Sequence, residues 1–141
     1  MGQKILDIKN IKVNLPSVGK EEAIKAAGQL LVDGGYVQEN YIEYMLQREK
    51  ECKTSIGNYV AIPHGIAKSK EEIKKSGIVV LQYPEGIDYD GDLVKLVIGI
   101  AGKNDEHLEI LGNIAEIISD QEKVEKLVQT NDVEEIYHSF V

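Results

Sequence analysis

The chain has 141 residues, 43% hydrophobic and 28% charged, which suits a single globular domain over residues 1–141 that needs no disulfide or metal staple. Lys and Arg total 16 against 24 Asp and Glu, a net charge of −8 at pH 7, so the field repels nucleic-acid phosphates and anionic membrane surfaces and attracts a partner with a basic face. The one cysteine, Cys52, excludes an internal disulfide and fits a reducing, cytoplasmic setting.

Met1-Gly2-Gln3-Lys4 runs into polar sequence without an apolar leader core, and no Ser or Thr stands where a myristoylation motif needs one. No apolar run reaches membrane-spanning length. Ile11, Val13 and Leu15 alternate with polar residues as in a short half-buried strand, which Pro16 ends. Glu21 to Val32 reads as a helix with Ala23, Ile24, Ala27, Leu30 and Leu31 on one face, opened by Ser17 or Gly19 and stopped by Gly34-Gly35. A second helix spans about Asn40 to Lys50, with Ile42, Met45 and Leu46 inward and Arg48 in its last turn. Tyr59 to Ile62 is a short apolar strand closed by Pro63-His64-Gly65. The carboxylates and lysines of Lys68–Lys75 read as paired, solvated helical faces.

Gly77 to Tyr83 is a nearly continuous apolar strand followed by a turn signal, Pro84-Glu85-Gly86, and Leu93 to Ala101 is another strong strand. Such runs suit sheet strands covered on both faces. Asn104 or Asp105 would cap a helix reaching Ser119, with Leu108, Leu111, Ile114, Ala115 and Ile118 inward, and helices near Gln121–Gln129 and Val133–Phe140 finish the chain. The mixture argues an α/β fold with helices on both sheet faces.

His64 is the most informative residue. It follows a buried strand inside Ala61-Ile62-Pro63-His64-Gly65, where a side chain can line a crevice, and a neutral imidazole nitrogen is a usable nucleophile. The plain alternative is a histidine in an ordinary Pro-Gly turn. His107 lies in the first turn of a helix, a seat for anions, or is simply a solvated histidine. Arg48 offers a planar fork suited to phosphate oxygens, or merely satisfies carbonyls at its helix end. Cys52 reads as an inert thiol and His138 as a surface residue. GxxxxGK[ST], GxGxxG, CxxC and HExxH motifs are all missing, so neither a nucleotide nor a metal site is indicated.

The stretch Tyr41–Gly65 (YIEYMLQREKECKTSIGNYVAIPHG) resembles the active-site region of the enzyme IIA components of the bacterial sugar phosphotransferase system, mannitol/fructose type. The shared pieces are a helix ending in Met-x-x-Arg-Glu, a Gly-containing turn, and Ala-x-Pro-His-Gly; Glu106-His107-Leu108 heading a helix is similar as well. The likeness runs from about Ile5 to Tyr137, and Gln82-Tyr83-Pro84-Glu85-Gly86-Ile87 with Leu96–Ala101 brings it nearest to the mannitol branch.

The resemblance implies a single mixed parallel/antiparallel sheet flanked by helices on both faces. It also implies a cytoplasmic phosphotransferase component. His64 would accept a phosphoryl group from the phosphocarrier HPr and pass it to a cysteine of the mannitol IIB domain, which phosphorylates the sugar during transport through IIC. Arg48 and His107 would stabilise the moving phosphoryl group, and no metal or cofactor is needed. The docking surface would be a shallow apolar patch with an acidic rim. Three rival readings stand beside this one. The first is a regulatory IIA-like domain of fructose or nitrogen type, whose phosphorylation controls a non-transport partner. The second is a metal-dependent hydrolase with His64 and His107 as ligands, and the third an α/β domain without chemistry.

Overall fold

A computed structural model describes residues 5–140; the expectations for residues 1–4 and the last residue of the 1–141 domain lie outside them. In chain order the elements are β1 (Ile11–Lys12), α1 (Lys20–Asp33), α2 (Asn40–Glu51), β2 (Ser55–Gly57), β3 (Val60–Ala61), β4 (Gly77–Tyr89), β5 (Asp92–Ala101), α3 (Glu106–Ile118), α4 (Gln121–Leu127) and α5 (Val133–Phe140). Short 3-10 turns cover Ile8–Asn10 and Ala67–Glu72. The five strands form one mixed sheet in the order β1-β4-β5-β3-β2. β1 runs parallel to β4, β3 parallel to β5, and the β4/β5 and β2/β3 pairs are antiparallel. This is the expected α/β class.

The two-residue period of the central strands divides the core in two. Val79, Leu81 and Tyr83 of β4 and Val97 and Ala101 of β5 pack with α1 and α2, around Ala23, Ile24, Ala27, Leu31, Tyr41 and Met45. Ile78 and Val80 of β4 and Leu96, Ile98 and Ile100 of β5 point the other way, against Ile110, Ile114, Val124, Ile136 and Phe140 of α3 to α5. Both faces are covered, which is why these strands read as unbroken apolar runs. Gly28 lets α1 and α2 approach closely, since a Cβ there would lie 2.8 Å from Ile42 Cγ1.

Four local readings are corrected. Pro84-Glu85-Gly86 does not end β4. Gln82 pairs with Leu96 and Ile87 with Val94, so residues 83–86 bulge opposite Lys95 and the strand resumes. The reversal comes at Asp90-Gly91, both at positive φ (54° and 96°), the dipeptide that favours a two-residue hairpin. Ser17 does not open α1; Gly19 does, while Ser17 Oγ donates to the Gly86 carbonyl at 2.7 Å and ties the preceding loop to the bulge. The buried stripe of α3 is Ile110, Ile114 and Ile118, with Leu111 half-buried, whereas Leu108 is 71% exposed and Ala115 is exposed. In segment Lys68–Lys75 the lysines and Glu71 are exposed as expected, but Ser69 and Ile73 are buried, Ala67–Glu72 is a 3-10 turn rather than a helix, and among the described residues its charges form no ion pairs. Residues Ser55–Gly57, within the Gly-containing turn before the Pro-His-Gly loop, form the edge strand β2.

Candidate active site

The parallel pairing of β3 with β5 sets the carboxyl ends of two strands side by side, Val60 opposite Leu96 and Ala61 opposite Val97. Crevices form at such ends. The loop leaving β3 is anchored along its length. Ile62 N–H donates to the Thr54 carbonyl (3.0 Å), and Ile100 N–H donates to the Pro63 carbonyl (3.0 Å). Gly65 N–H donates to the Tyr41 hydroxyl (2.9 Å), which itself donates to the Ile100 carbonyl (2.8 Å). Burial pushes the Tyr41 phenol up to about 12, so the hydroxyl keeps its proton. Gly65 has no room for a side chain: a Cβ would lie 2.7 Å from the Tyr41 ring.

His64 projects from this anchored loop, half-buried. Its Nδ1 lies 2.7 Å from the Ile62 carbonyl oxygen. A carbonyl only accepts, so Nδ1 carries the proton of the neutral ring and Nε2 keeps a free lone pair. The pKa of His64 is held below the ordinary 6.5, chiefly by burial and further by the Arg48 charge, while the Ile62 hydrogen bond and Glu49 oppose the shift. At neutral pH the ring is therefore uncharged and nucleophilic at Nε2.

α3 brings in the second histidine. Gly102 follows β5, and a Cβ on it would lie 2.9 Å from His107 Nδ1, so glycine lets the first turn of α3 fold against the strand end. The ring centroids of His64 and His107 are 5.2 Å apart and the planes are tilted by 55°. The His107 pKa is also lowered, by burial first, then by His64 and Lys70. Leu108, the next residue, stands exposed beside it.

The helix start itself differs from the expected anion seat. Asp105 opens α3 without a side-chain cap, and the N–H groups of Glu106 and His107 are already donated to the Lys103 and Asn104 carbonyls (3.2 and 3.4 Å). The imidazole of His107 is thus the better donor here.

Arg48 sits in the last turn of α2, two turns beyond Tyr41, and donates from Nη1 to the Cys52 carbonyl at 2.8 Å. One bond steadies a guanidinium that has five donors, and its charge reaches His64. The fold therefore gathers all three expected residues: His64 and His107 ring against ring, and Arg48 within electrostatic range. Cys52 is exposed and His138 lies on the exposed face of α5. Among the described residues, no group of three His, Cys, Asp or Glu side chains is placed to hold a metal.

Sequence reasoning missed the supporting residues Tyr41, Glu49 and Thr54, all buried. Tyr41, Met45 and Glu49 recur every four residues and form the buried stripe of α2, so a carboxylate on an inward helical position was the available signal.

Residues 4–140 match the family described as "Phosphoenolpyruvate-dependent sugar phosphotransferase system, EIIA 2". The chain belongs to this family. Among curated EIIA relatives, the mannitol-specific phosphotransferase enzyme IIA component of Bacillus subtilis (strain 168) is 49% identical over 138 residues, 97% of this chain and 96% of that one. The crystal structure of the mannitol IIA of Escherichia coli superimposes with a TM-score of 0.88 at 38% identity, covering 94% of this chain and 96% of that one. The Escherichia coli IIA in complex with phosphorylated mannitol IIB superimposes with a TM-score of 0.89 at 38% identity, covering 94% of each chain. As an EIIA fold, then, the chain carries its Pro-His-Gly loop at the carboxyl end of β3, beside its parallel neighbour β5.

Proposed function

We propose that this EIIA domain is the mannitol-specific phosphocarrier of a sugar phosphotransferase system. It takes a phosphoryl group from phospho-HPr on His64 and passes it to the cysteine of a mannitol IIB domain. The observation that carries the reading is the orientation of His64: Nδ1 bound to the Ile62 carbonyl, Nε2 free, and the His107 ring alongside. The names of the mannitol IIA relatives and the IIA–IIB complex from Escherichia coli support the substrate and the acceptor. The relay works inside the cell, where its phosphoryl donor is made.

The chemistry needs positioning and charge stabilisation more than covalent help. Nε2 of His64 attacks phosphorus in line. The new N–P bond forms as the bond to the HPr imidazole breaks, and that ring departs with the electron pair. Arg48 balances the equatorial oxygens and His107 donates a hydrogen bond to one of them. Transfer onward reverses the sequence: the IIB thiolate attacks and His64 leaves as a neutral ring. In the first step one N–P bond is exchanged for another, so transfer between HPr and His64 runs in either direction; in the second an S–P bond forms as the N–P bond breaks. The exposed Leu108, with Asp105, Glu106 and Glu109 exposed around it, supplies an apolar spot with an acidic rim for a basic carrier.

The test is an intact mass after incubation with phosphoenolpyruvate, enzyme I and HPr. One acid-labile phosphate that requires HPr and is missing from His64→Ala is expected, and it should move to a mannitol IIB domain. A phosphorylated protein that no mannitol IIB discharges would instead be a regulatory IIA. A folded protein that takes no phosphate from a matched HPr would end the relay reading.

A further inference from the structure

Glu49 is a carboxylate on the buried face of α2, and its side chain is only 6% exposed. A buried charge is costly unless every lone pair is met. Here four donors converge on it from three other segments. Thr54 N–H (2.7 Å) and Lys20 Nζ (3.1 Å) reach Oε2. The Thr54 hydroxyl (2.6 Å) and the Tyr89 hydroxyl (2.9 Å) donate to Oε1. Lys20 also pairs with Asp90 and lies 4.8 Å from the centre of the Tyr89 ring. α1, the end of β4 and the segment before β2 are thereby joined at one point.

The link continues toward the site. The Thr54 carbonyl accepts from Ile62 N–H at 3.0 Å, and the Ile62 carbonyl holds His64 Nδ1 at 2.7 Å. We propose that Glu49 is a positioning residue for His64: it clamps Thr54, and through the Thr54–Ile62 backbone link it fixes the carbonyl that holds the Nδ1 proton and leaves Nε2 free to react. Its neighbour in sequence, Arg48, points elsewhere, as successive helical residues do, and is bound to the Cys52 carbonyl. Lys20 neutralises Glu49, which leaves the Arg48 fork for the phosphoryl group. The effect on rate rests on the relay reading; the effect on the ring does not.

The experiment is ¹⁵N NMR of the labelled full chain, reading the tautomer of His64 directly with no phosphoryl donor present. Single-turnover transfer from phospho-HPr is measured beside it. Glu49→Gln keeps the shape but removes the charge and turns one acceptor into a donor. It is expected to shift His64 from the Nδ1–H form to a mixture and to slow transfer by ~10–100-fold, with little change in KM for phospho-HPr. Tyr89→Phe and Thr54→Val each remove one of the four donors and should act in the same direction, more weakly, with Thr54→Ser restoring the wild-type spectrum. Wild-type tautomer fractions in folded Glu49→Gln overturn the proposal. If that variant does not fold, wild-type fractions in both Tyr89→Phe and Thr54→Val overturn it. A wild-type chain that shows the Nδ1–H form but accepts no phosphate would end the relay reading and leave the positioning role standing.

Discussion

His64 Nδ1 and the Ile62 carbonyl oxygen, two residues apart in the chain, lie 2.7 Å from each other. That single contact decides which nitrogen of the histidine can react. It also explains the Pro63 between them: proline fixes φ and so helps the chain fold back on its own carbonyl.

The three gathered residues should respond unequally to substitution. His64→Ala is expected to take up no phosphate at all. His107→Ala and Arg48→Ala should remain folded and lose ~10²–10³-fold in transfer rate, the scale for one preorganised donor. Rapid-quench transfer from phospho-HPr measures this, and a wild-type rate in either variant would remove that side chain from the site.

The pH dependence follows from burial. Both histidines titrate below 6.5, His64 chiefly through desolvation with the Arg48 charge adding, and His107 through desolvation with His64 and Lys70 adding. The reactive neutral form of His64 should persist as pH falls to 6.5 and vanish only below it. The sign for stability is the same. Below 6.5 the unfolded chain takes up protons that the fold resists, so stability is full above 6.5 and is lost as pH falls through the folded values. An NMR titration of His64 with a midpoint above 6.5 would contradict both statements.

Tyr41→Phe removes a hydroxyl that accepts from Gly65 N–H and donates to the Ile100 carbonyl. Two backbone groups lose a partner, at a cost of ~1–3 kcal/mol. Urea unfolding should show a lower midpoint with an unchanged slope, and transfer to His64 should slow because its loop loses an anchor. Unchanged midpoint and rate would mean that the loop does not depend on this bond.

Gly102→Ala places a methyl group against His107. Overpacking of this kind costs ~1–3 kcal/mol. The first turn of α3 must retreat, so the phosphorylation rate should fall along with thermal stability. A variant with full stability and full rate would show that the turn has slack.

Much of this architecture was legible in the residues. The apolar runs of β4 and β5, the stripe of α1 and the Pro-His-Gly loop are local patterns, and each appears where it was expected. The failures have a common cause in long-range contact. Pro84-Glu85-Gly86 carries turn chemistry, yet β5 continues to pair beyond it, and the Asp90-Gly91 pair wins the reversal. Leu108 suits an inward helical position, but His107 is held against Gly102 and turns the next residue outward. Glu49 was part of a quoted motif, and only the fold reveals the four donors that converge on it.

The sheet separates two cores, and the site draws on both. His64 and Arg48 are held from the layer of α1 and α2, through Tyr41 and Glu49, whereas His107 rides on α3, whose Ile110, Ile114 and Ile118 belong to the opposite layer. The imidazole pair thus spans a seam between independently packed halves. The 5.2 Å between the rings therefore depends on how both layers are seated on their common sheet, so a change deep in either core can reach the chemistry without touching a site residue.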